Sequence, residues 1–312
     1  MKILFTGASS FTGYWFVKEL VKAGHSVSTI YTRAGESEYE GIRKIRVEKL
    51  GGITDRIFNC QFGSPRFIDL VKSESKWDLF CHHAAEATNY KSSQFDYIGA
   101  LKNNTFNLPV VLEHLLDKNC DSVLLTGSVF ENDEGKGSEN LGAFSLYGLS
   151  KSLTYSIVRY YSELFRIKLG KFVIPNPFGP LEEPRFTTFL MKTWLDKKTA
   201  TVNTPAYIRD NIHVSLLARI YNNFVTDIKS ADTRLLKINP SGYVESQGEF
   251  AERFAKEMRS RFNLPCELEL KEQSEFPEPE VRINLQNAAR IIKDWDEKTA
   301  WDKLAEYYKN NL

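Results

Sequence analysis

Residues 2–13, KILFTGASSFTG, run from a short apolar segment into a turn bounded by Gly7 and Gly13. The apolar segment reads as a strand buried on both faces. Directly after the turn, YWFVKELVKAG places Phe16, Val17, Leu20 and Val21 at helical spacing and ends on Gly24, where a helix stop belongs. Strand, glycine turn and helix in that order make a βα unit whose turn suits a phosphate. Gly7 permits the tight turn, and Gly13 lets helix and strand approach closely. The helix N-terminus offers free N–H groups and a positive dipole end to a pyrophosphate. Two glycines alone are weak evidence, a structural βα turn without ligand being the alternative, so the rest of the chain has to supply the context.

Outward from that turn, short apolar runs alternate with helical periodicity, as in βαβ units and a parallel sheet covered on both faces. HSVSTIYTR reads as a second strand, SEYEGIRKIRVEKLGG as a charged helix and RIFNCQF as a third strand. Ser64 and Pro65 supply an N-cap and first-turn proline for RFIDLVKSES. WDLFCHHAA is a fourth strand, NNTFNLPVVLEHLLDKNC a single helix and SVLLTGS a fifth strand; a long helix spans Tyr147 to Phe165, and KFVIPNPFGP is a sixth strand. Beyond Pro180 the pattern loosens to four helical runs, near FLMKTWLDKK, SLLARIYNNF, GEFAERFAKEMRSRF and from Trp295 to Lys309, with KEQSEFPEPE as a surface loop or linker. The boundary between a regular α/β half and the remainder falls near residue 175.

The chain has 312 residues, enough for two domains or one with a large appendage. Lys plus Arg number 41 against 40 Asp plus Glu, a formal charge of +1, so no whole-molecule field draws in nucleic acid or an anionic membrane. A composition of 42% hydrophobic and 26% charged residues excludes global disorder. Cys60, Cys81, Cys120 and Cys266 lie too far apart for a Cys-x-x-Cys clamp and read as reduced, buried thiols. MKILFTGASS has the pattern of neither a signal peptide nor a membrane span, and a cytoplasmic location is expected.

A second motif is Tyr147-Gly148-Leu149-Ser150-Lys151. Residues four apart share a helix face, so an ammonium at 151 can stabilise a phenolate at 147 and make the tyrosine a general acid or base. Tyr14 and Lys18 share the spacing, but directly behind the glycine turn a structural role wins. Tyr147 is distinguished by the hydroxyl-bearing strand end Leu125-Thr126-Gly127-Ser128 about twenty residues before it, since parallel sheets place ligands at the C-terminal ends of their strands.

GASSFTG, HHAA, NNTFN, LLTGSVFE, YGLSK, PNPFGP and RDNIHV, in that order, resemble the extended short-chain dehydrogenase/reductases, the NAD(P)-dependent sugar-nucleotide epimerase, dehydratase and reductase group. The resemblance covers nearly the whole chain. It implies an α/β fold with a doubly wound parallel Rossmann sheet in residues 1–174, and a smaller, discontinuous C-terminal substrate domain in 175–312. The chain would return to the first domain around 205–238. It implies Tyr147 as acid/base, Lys151 as holder of the nicotinamide ribose and Thr126 as hydrogen-bond partner of the reacting sugar oxygen, Thr126 being favoured over Ser128, which is assigned to substrate. Gly7, Ser9, Ser10, Phe11, Thr12, Gly13, Gln61, Phe62, His83, Ala84, Ala85, Asn104 and Pro175 would line the cofactor, with Asn104 in a mainly structural role. Asn176 and Arg209 would bind the sugar nucleotide, an arginine fork suiting a diphosphate. The helix of Tyr147 and Lys151 would pair two copies into a homodimer, with Tyr155, Tyr160 and Tyr161 as core and subunit contact.

Departures from the family pattern sharpen the expectation. Ser10 replaces a middle glycine of the phosphate turn, and its hydroxyl can donate to a phosphate. The second strand ends Ile30-Tyr31-Thr32-Arg33 without the carboxylate that would accept from an adenosine ribose. Thr32 and Arg33 instead suit a 2′-phosphate, favouring NADP over NAD. Gly127 and Ser128 stand where 4,6-dehydratases of the family carry Asp-Glu, which disfavours dehydration; Glu131 and Glu134 nearby weaken that inference. His82 and His83 read as packing and cofactor-wall residues, and no metal site is expected. The function expected is hydride transfer at a sugar carbon by an epimerase or 4-keto reductase. The alternative is a non-catalytic NAD(P)-binding sensor or scaffold.

Overall fold

Lys2–Thr6 (β1) is buried from Ile3 onward, as its apolar run predicts, and it pairs on both sides in a parallel sheet. The computed structural model describes residues 1–312. Its chain divides into two compact units: 1–134, 142–174 and 218–239 form the first, and 135–141, 175–217 and 240–312 the second.

In the first unit β1 is followed by α1 (Phe11–Lys22), β2 (Ser26–Ile30), α2 (Gly41–Leu50), β3 (Asp55–Ile57), α3 (Pro65–Ser73) and β4 (Leu79–His82). Then come α4 (Tyr97–Thr105), α5 (Leu108–Asp117), β5 (Ser122–Ser128), α6 (Leu146–Leu164) and β7 (Lys168–Ile174), while β6 (Lys136–Gly137) lies in the second unit. Within Val214–Ser230 (α8) the chain returns at Ala218, and β11 (Leu235–Ile238) completes a seven-stranded sheet in the order β11-β7-β5-β4-β1-β2-β3. Every pairing is parallel. Leu4, Phe80, Val123 and Leu169 pack on one face against Phe67 and Val71 of α3 and Val111, Leu112 and Leu115 of α5. On the other face Phe16 of α1 stacks on Tyr221 of α8 at 4.0 Å, with Phe5 and Phe172 edge-on to Tyr221. This is the parallel sheet covered on both faces that the alternation predicts, in the doubly wound Rossmann form that the family resemblance implies.

The stretch expected as one helix from 103 to 120 is broken. Asn107 adopts φ 51° and its side chain donates to the Gly63 carbonyl at 2.8 Å. Pro109, in the first turn of α5, cannot continue a helix from α4 because it lacks an N–H and its ring would strike the preceding turn. The edge strand β11 is a further difference from expectation, because its alternating, half-exposed LLKI carries a weak apolar signal.

The second unit holds β8 (Asn176–Phe178), α7 (Phe186–Leu195), β9 (Ala200–Val202), β10 (Ile208–His213), β12 (Pro240–Ser241), β13 (Tyr243–Ser246) and α9 (Gln247–Phe262). It ends with β14 (Leu268–Leu270), β15 (Val281–Ile283), β16 (Gln286–Asn287), α10 (Ala288–Ile291) and α11 (Glu297–Asn311). Its main sheet runs β13-β10-β15-β6, with β8 also on β10. Phe178, Trp194, Phe254, Trp301 and Tyr308 fill its core, and α9 begins in a capping box of Ser246 and Glu249. The chain does not re-enter the first unit at about 205, because β10 pairs with β13, β15 and β8 inside the second. Residues 135–141 join the second unit because Gly137 pairs with Arg282 of β15. No helix is long and apolar enough to cross a membrane.

The glycine turn depends on close packing. A Cβ on Gly13 would lie 2.2 Å from the Gly7 carbonyl oxygen, so Gly13→Ala is expected to lower stability by about 1–3 kcal/mol, measured as an earlier midpoint in denaturant.

Candidate active site

The order of the sheet reverses between β1 and β4, and the crevice at such a switch point is where doubly wound folds hold ligands. The loops after the two strands touch there. Gly7 has φ 82°, and a Cβ on it would sit 2.8 Å from both N and Cα of Ala84. Thr6 Oγ1 fastens the second loop by accepting the N–H groups of His83 and Ala84, each at 3.1 Å. Ser10 is the N-cap of α1, its Oγ accepting from the Gly13 N–H at 3.1 Å, and no carboxylate occupies the first turn of the helix. The positive end of α1 is thus left for an anion. Arg46, fully buried on α2, donates to the Ser9 carbonyl at 2.9 Å and braces the turn from behind. Nothing in the sequence singled it out; an arginine beside Val47 on an apolar helix face is the only trace.

At the end of β5, the Lys151 ammonium on α6 donates to the main-chain oxygen of Thr126. Lys151 is 4% exposed. Burial pushes its pKa down to about 8, against the opposing pull of Glu131, with Lys171 pushing it further down. Tyr147 stands one turn earlier on the same helix, whose N-cap is Ser145. Its half-buried ring is bordered by Tyr90, Phe95 and Phe130 at centroid distances of 5.6, 6.0 and 6.4 Å, all in edge geometry. A Cβ on Gly148 would lie 2.1 Å from the Phe130 carbonyl oxygen, so the glycine of YGLSK brings α6 against the loop after β5. The Tyr14–Lys18 pair is structural: Tyr14 is buried, and the Lys18 ammonium lies 4.8 Å over the Trp15 ring.

Behind β5, Lys171 lies 2.6 Å from Glu131 Oε2 and 2.7 Å from Glu134 Oε1, with all three side chains at most 3% exposed. Lys237 reaches Glu134 Oε2 at 3.2 Å. Glu131 Oε1 also accepts from the Ser128 N–H at 2.7 Å. Both carboxylates are therefore committed to a buried ion cluster. A Cβ on Gly127 would meet Lys171 Cε at 2.8 Å, so a larger residue at that position would have to displace the Lys171 side chain.

Other expected residues divide into two groups. Thr32, Arg33 and Gln61 are exposed at the ends of β2 and β3, and Ser9, Thr12, Ala84 and Ala85 are half-buried along the crevice. Phe11 is buried in α1. The Phe62 side chain is core, stacked 4.3 Å from His82, and offers no ring to a ligand. Asn104 donates to Thr154 Oγ1 at 3.2 Å and its carbonyl accepts from His82 Nε2 at 2.8 Å, so it ties α4 to α6 and β4. Ser128 Oγ caps the turn after β5 by accepting from the Phe130 N–H. In the second unit Pro175 is buried, and Asn176 opens β8 opposite Asn211. Arg209 donates through Nη1 to the carbonyls of Ile208, Pro279 and Glu280 and through Nη2 to Glu278 Oε2 at 3.2 Å, and it lies 4.3 Å over Tyr207. That fork ties the 278–280 segment to β10. His213 is buried beside Ser215, and no group of three or more His, Cys, Asp or Glu converges as metal ligands.

A Rossmann sheet with a glycine turn after β1 and a Tyr-x-x-x-Lys helix beside the end of β5 defines an extended short-chain dehydrogenase/reductase. The profile of the NAD dependent epimerase/dehydratase family matches residues 3–234, and the chain belongs to that family. Among solved structures it is similar to a UDP-glucuronic acid 4-epimerase mutant from Bacillus cereus in complex with a fluorinated UDP-sugar and NAD, at 17% identity and TM-score 0.75 over 100% of both chains. It is also similar to UDP-N-acetylglucosamine 4-epimerase from Methanobrevibacter ruminantium, at 14% identity and TM-score 0.74 over 100% of this chain and 99% of that one. UDP-glucose 4-epimerase from Thermotoga maritima aligns at 16% identity and TM-score 0.73 over 100% of both chains. Among curated protein sequences there is no significant match.

The buried ammonium sets a pH signature. Between its folded pKa of about 8 and an ordinary lysine value of about 10.4, the unfolded chain holds a proton that the folded chain has released, so stability rises with pH across that window. Lys151→Met is expected to be more stable than the parent at pH 7, by about 1–4 kcal/mol. Denaturant melts against pH should show that advantage shrinking from pH 8 upward.

Proposed function

We propose that this protein is an enzyme that moves a hydride between a bound nicotinamide dinucleotide and a carbon of a nucleotide-activated sugar, as an epimerase or 4-keto reductase. The observation that carries the proposal is the buried Lys151 ammonium fixed on the Thr126 carbonyl, one helical turn from Tyr147. The glycine turn fits a dinucleotide diphosphate, because its two close approaches exclude a side chain at Gly7 and Gly13 and leave the mouth of α1 without a carboxylate. When bound, the nicotinamide supplies and accepts the hydride. Lys151 holds positive charge beside the ribose and favours the phenolate of Tyr147, Tyr147 gives or takes the proton of the reacting sugar oxygen, and Thr126 hydrogen-bonds that oxygen. Membership of the epimerase/dehydratase family and the likeness to three UDP-sugar epimerases support the substrate class.

Thr32 and Arg33, exposed where a ribose-binding carboxylate would stand, favour NADP. Dehydration is disfavoured: Glu131 and Glu134 are spent on Lys171, leaving no free carboxyl acid and base at the end of β5. A homodimer through α4 and α6 would cover Ile98, Tyr160 and Leu164, each about 60% exposed. A cytoplasmic location fits such an enzyme.

The identity of nucleotides released when the purified protein is denatured, read by mass spectrometry, tests cofactor and substrate base together. Tyr147→Phe is expected to lower turnover of keto-sugar or sugar nucleotides by about 10²–10⁴-fold with dinucleotide binding retained; unchanged turnover would instead favour a non-catalytic dinucleotide sensor. Arg33→Ala is expected to weaken NADPH binding much more than NADH binding, followed by the fluorescence of the bound nucleotide, and equal losses would remove the NADP preference.

A further inference from the structure

Two lysines and two glutamates are buried around the end of β5. Lys151, Lys171, Glu131 and Glu134 are 4, 1, 0 and 2% exposed, and their formal charges sum to zero. Lys171 lies against both carboxylates, and its ammonium sits 3.8 Å over the ring of Tyr155, one turn beyond Lys151 on α6. Lys237, nearly half exposed, meets Glu134 from the solvent side.

The backbone of β5 brings Glu131 and Lys151 to one edge. The Val129 N–H goes to the Ile174 carbonyl of β7 at 3.0 Å, so the main-chain groups of residues 126 and 128 point to the opposite edge. Strand β4 has left that edge after its last pairing, His82 with Leu125. There the Thr126 carbonyl takes the Lys151 ammonium, and the Ser128 N–H holds Glu131 Oε1 at 2.7 Å. Two strand residues span about 7 Å, so the carboxylate that pairs with Lys171 lies within short range of Lys151 as well. The other groups around Lys151 bring no counter-charge: His82 and His83 at the end of β4 are neutral through burial, and α4 meets α6 through the uncharged Asn104 and Thr154. Burial lowers the Lys151 pKa, Glu131 pulls it up, and Lys171 adds to the lowering.

We propose that Glu131 is a positioning residue of the site: shared between Lys171 and Lys151, its charge keeps the Lys151 ammonium protonated and so sets the alkaline limit of turnover. The inference rests on Lys151 serving Tyr147 in the proposed oxidoreductase. Above that limit Lys151 loses its proton, and the phenolate of Tyr147 loses the cation that favours it. Glu131, fully buried, acts on the reaction through Lys151. Lys171 and Glu134 complete a charge balance in which removing any one member is felt by the others.

Lysine labelled with ¹³C at Cε reports the ammonium in the full-length protein without ligand, and the signal lost in Lys151→Met identifies it. Glu131→Gln keeps an acceptor for the Ser128 N–H and removes only the charge. The Lys151 midpoint is then expected to fall by about one pH unit or more. Glu134→Gln removes the same charge farther along the cluster and is expected to lower the midpoint less, whereas Lys171→Met removes a like charge and is expected to raise it. Should Glu131→Gln not fold, the double variant Glu131→Gln with Lys171→Met, compared with Lys171→Met alone, isolates the same carboxylate and is expected to show the same downward shift. A midpoint indifferent to the loss of Glu131, or moved as far by Glu134→Gln, overturns the proposal. With UDP-glucose as the probe and NAD or NADP as acceptor, the alkaline limb of turnover against pH is expected to move down in Glu131→Gln together with the Lys151 midpoint. A limb that stays in place while the midpoint moves overturns the link to catalysis. A parent protein that turns over no nucleotide sugar overturns the enzyme assignment instead, and the labelled lysine still decides whether Glu131 governs Lys151.

Discussion

The bond from the Lys151 ammonium to the Thr126 carbonyl joins α6 to the end of β5, and most of the site is arranged around holding that charge out of water. An ammonium removed from solvent carries a desolvation cost of several kcal/mol unless nearby groups offset it. Here the offset comes from a main-chain oxygen and from the field of Glu131, which is itself anchored by Lys171 and by the Ser128 N–H. Two carboxylates and two lysines under the strand thus form a supporting layer for a third lysine at its end. The same layer bears on residue 127, where a Cβ would press on the Lys171 side chain. A pair of glutamates that resembles an acid and a base on sequence grounds is, in three dimensions, structural counter-charge.

The strand, turn and helix at the N-terminus were legible because the apolar period changes from 2 to 3.6 across a glycine-bounded gap, a signal that survives without any neighbour. Tyr147 and Lys151 were legible because helical spacing alone puts them on one face, and the decoy at Tyr14 and Lys18 was separable by its place in the order of elements. Other features needed the third dimension. Asn107 breaks a helix through a bond to Gly63, a residue more than forty positions away. Arg46 looks like one more surface charge until the Ser9 carbonyl is seen in front of it. Arg209 has the chemistry of a phosphate ligand, and its bonds to three carbonyls and a carboxylate of its own unit are visible only in the fold. The short strands of the second unit, two to six residues each, hold too few residues for a period to show.

His82 and His83 show how adjacent identical residues part company on a strand end. Successive side chains of a strand point to opposite faces. His82 turns toward Phe62 and the α4 carbonyl of Asn104, whereas His83 turns toward Phe5, Phe16 and the hydroxyls of the glycine turn. Both are neutral through burial, but one is spent on holding a helix and the other faces the threonine at the end of β5.

The polypeptide passes between its two units at 134/135, 141/142, 174/175, 217/218 and 239/240. A clean cut after residue 174 would strip the first unit of the rest of α8 and of β11, leaving Tyr221 unable to cover Phe16 and the β7 edge unpaired. Neither half is a cassette. The second unit cannot be exchanged by splicing on a foreign C-terminal segment; a chimera has to be woven in through at least the loop at 135–141, the span 175–217 and the tail from 240, with the donor's lengths matched at every seam.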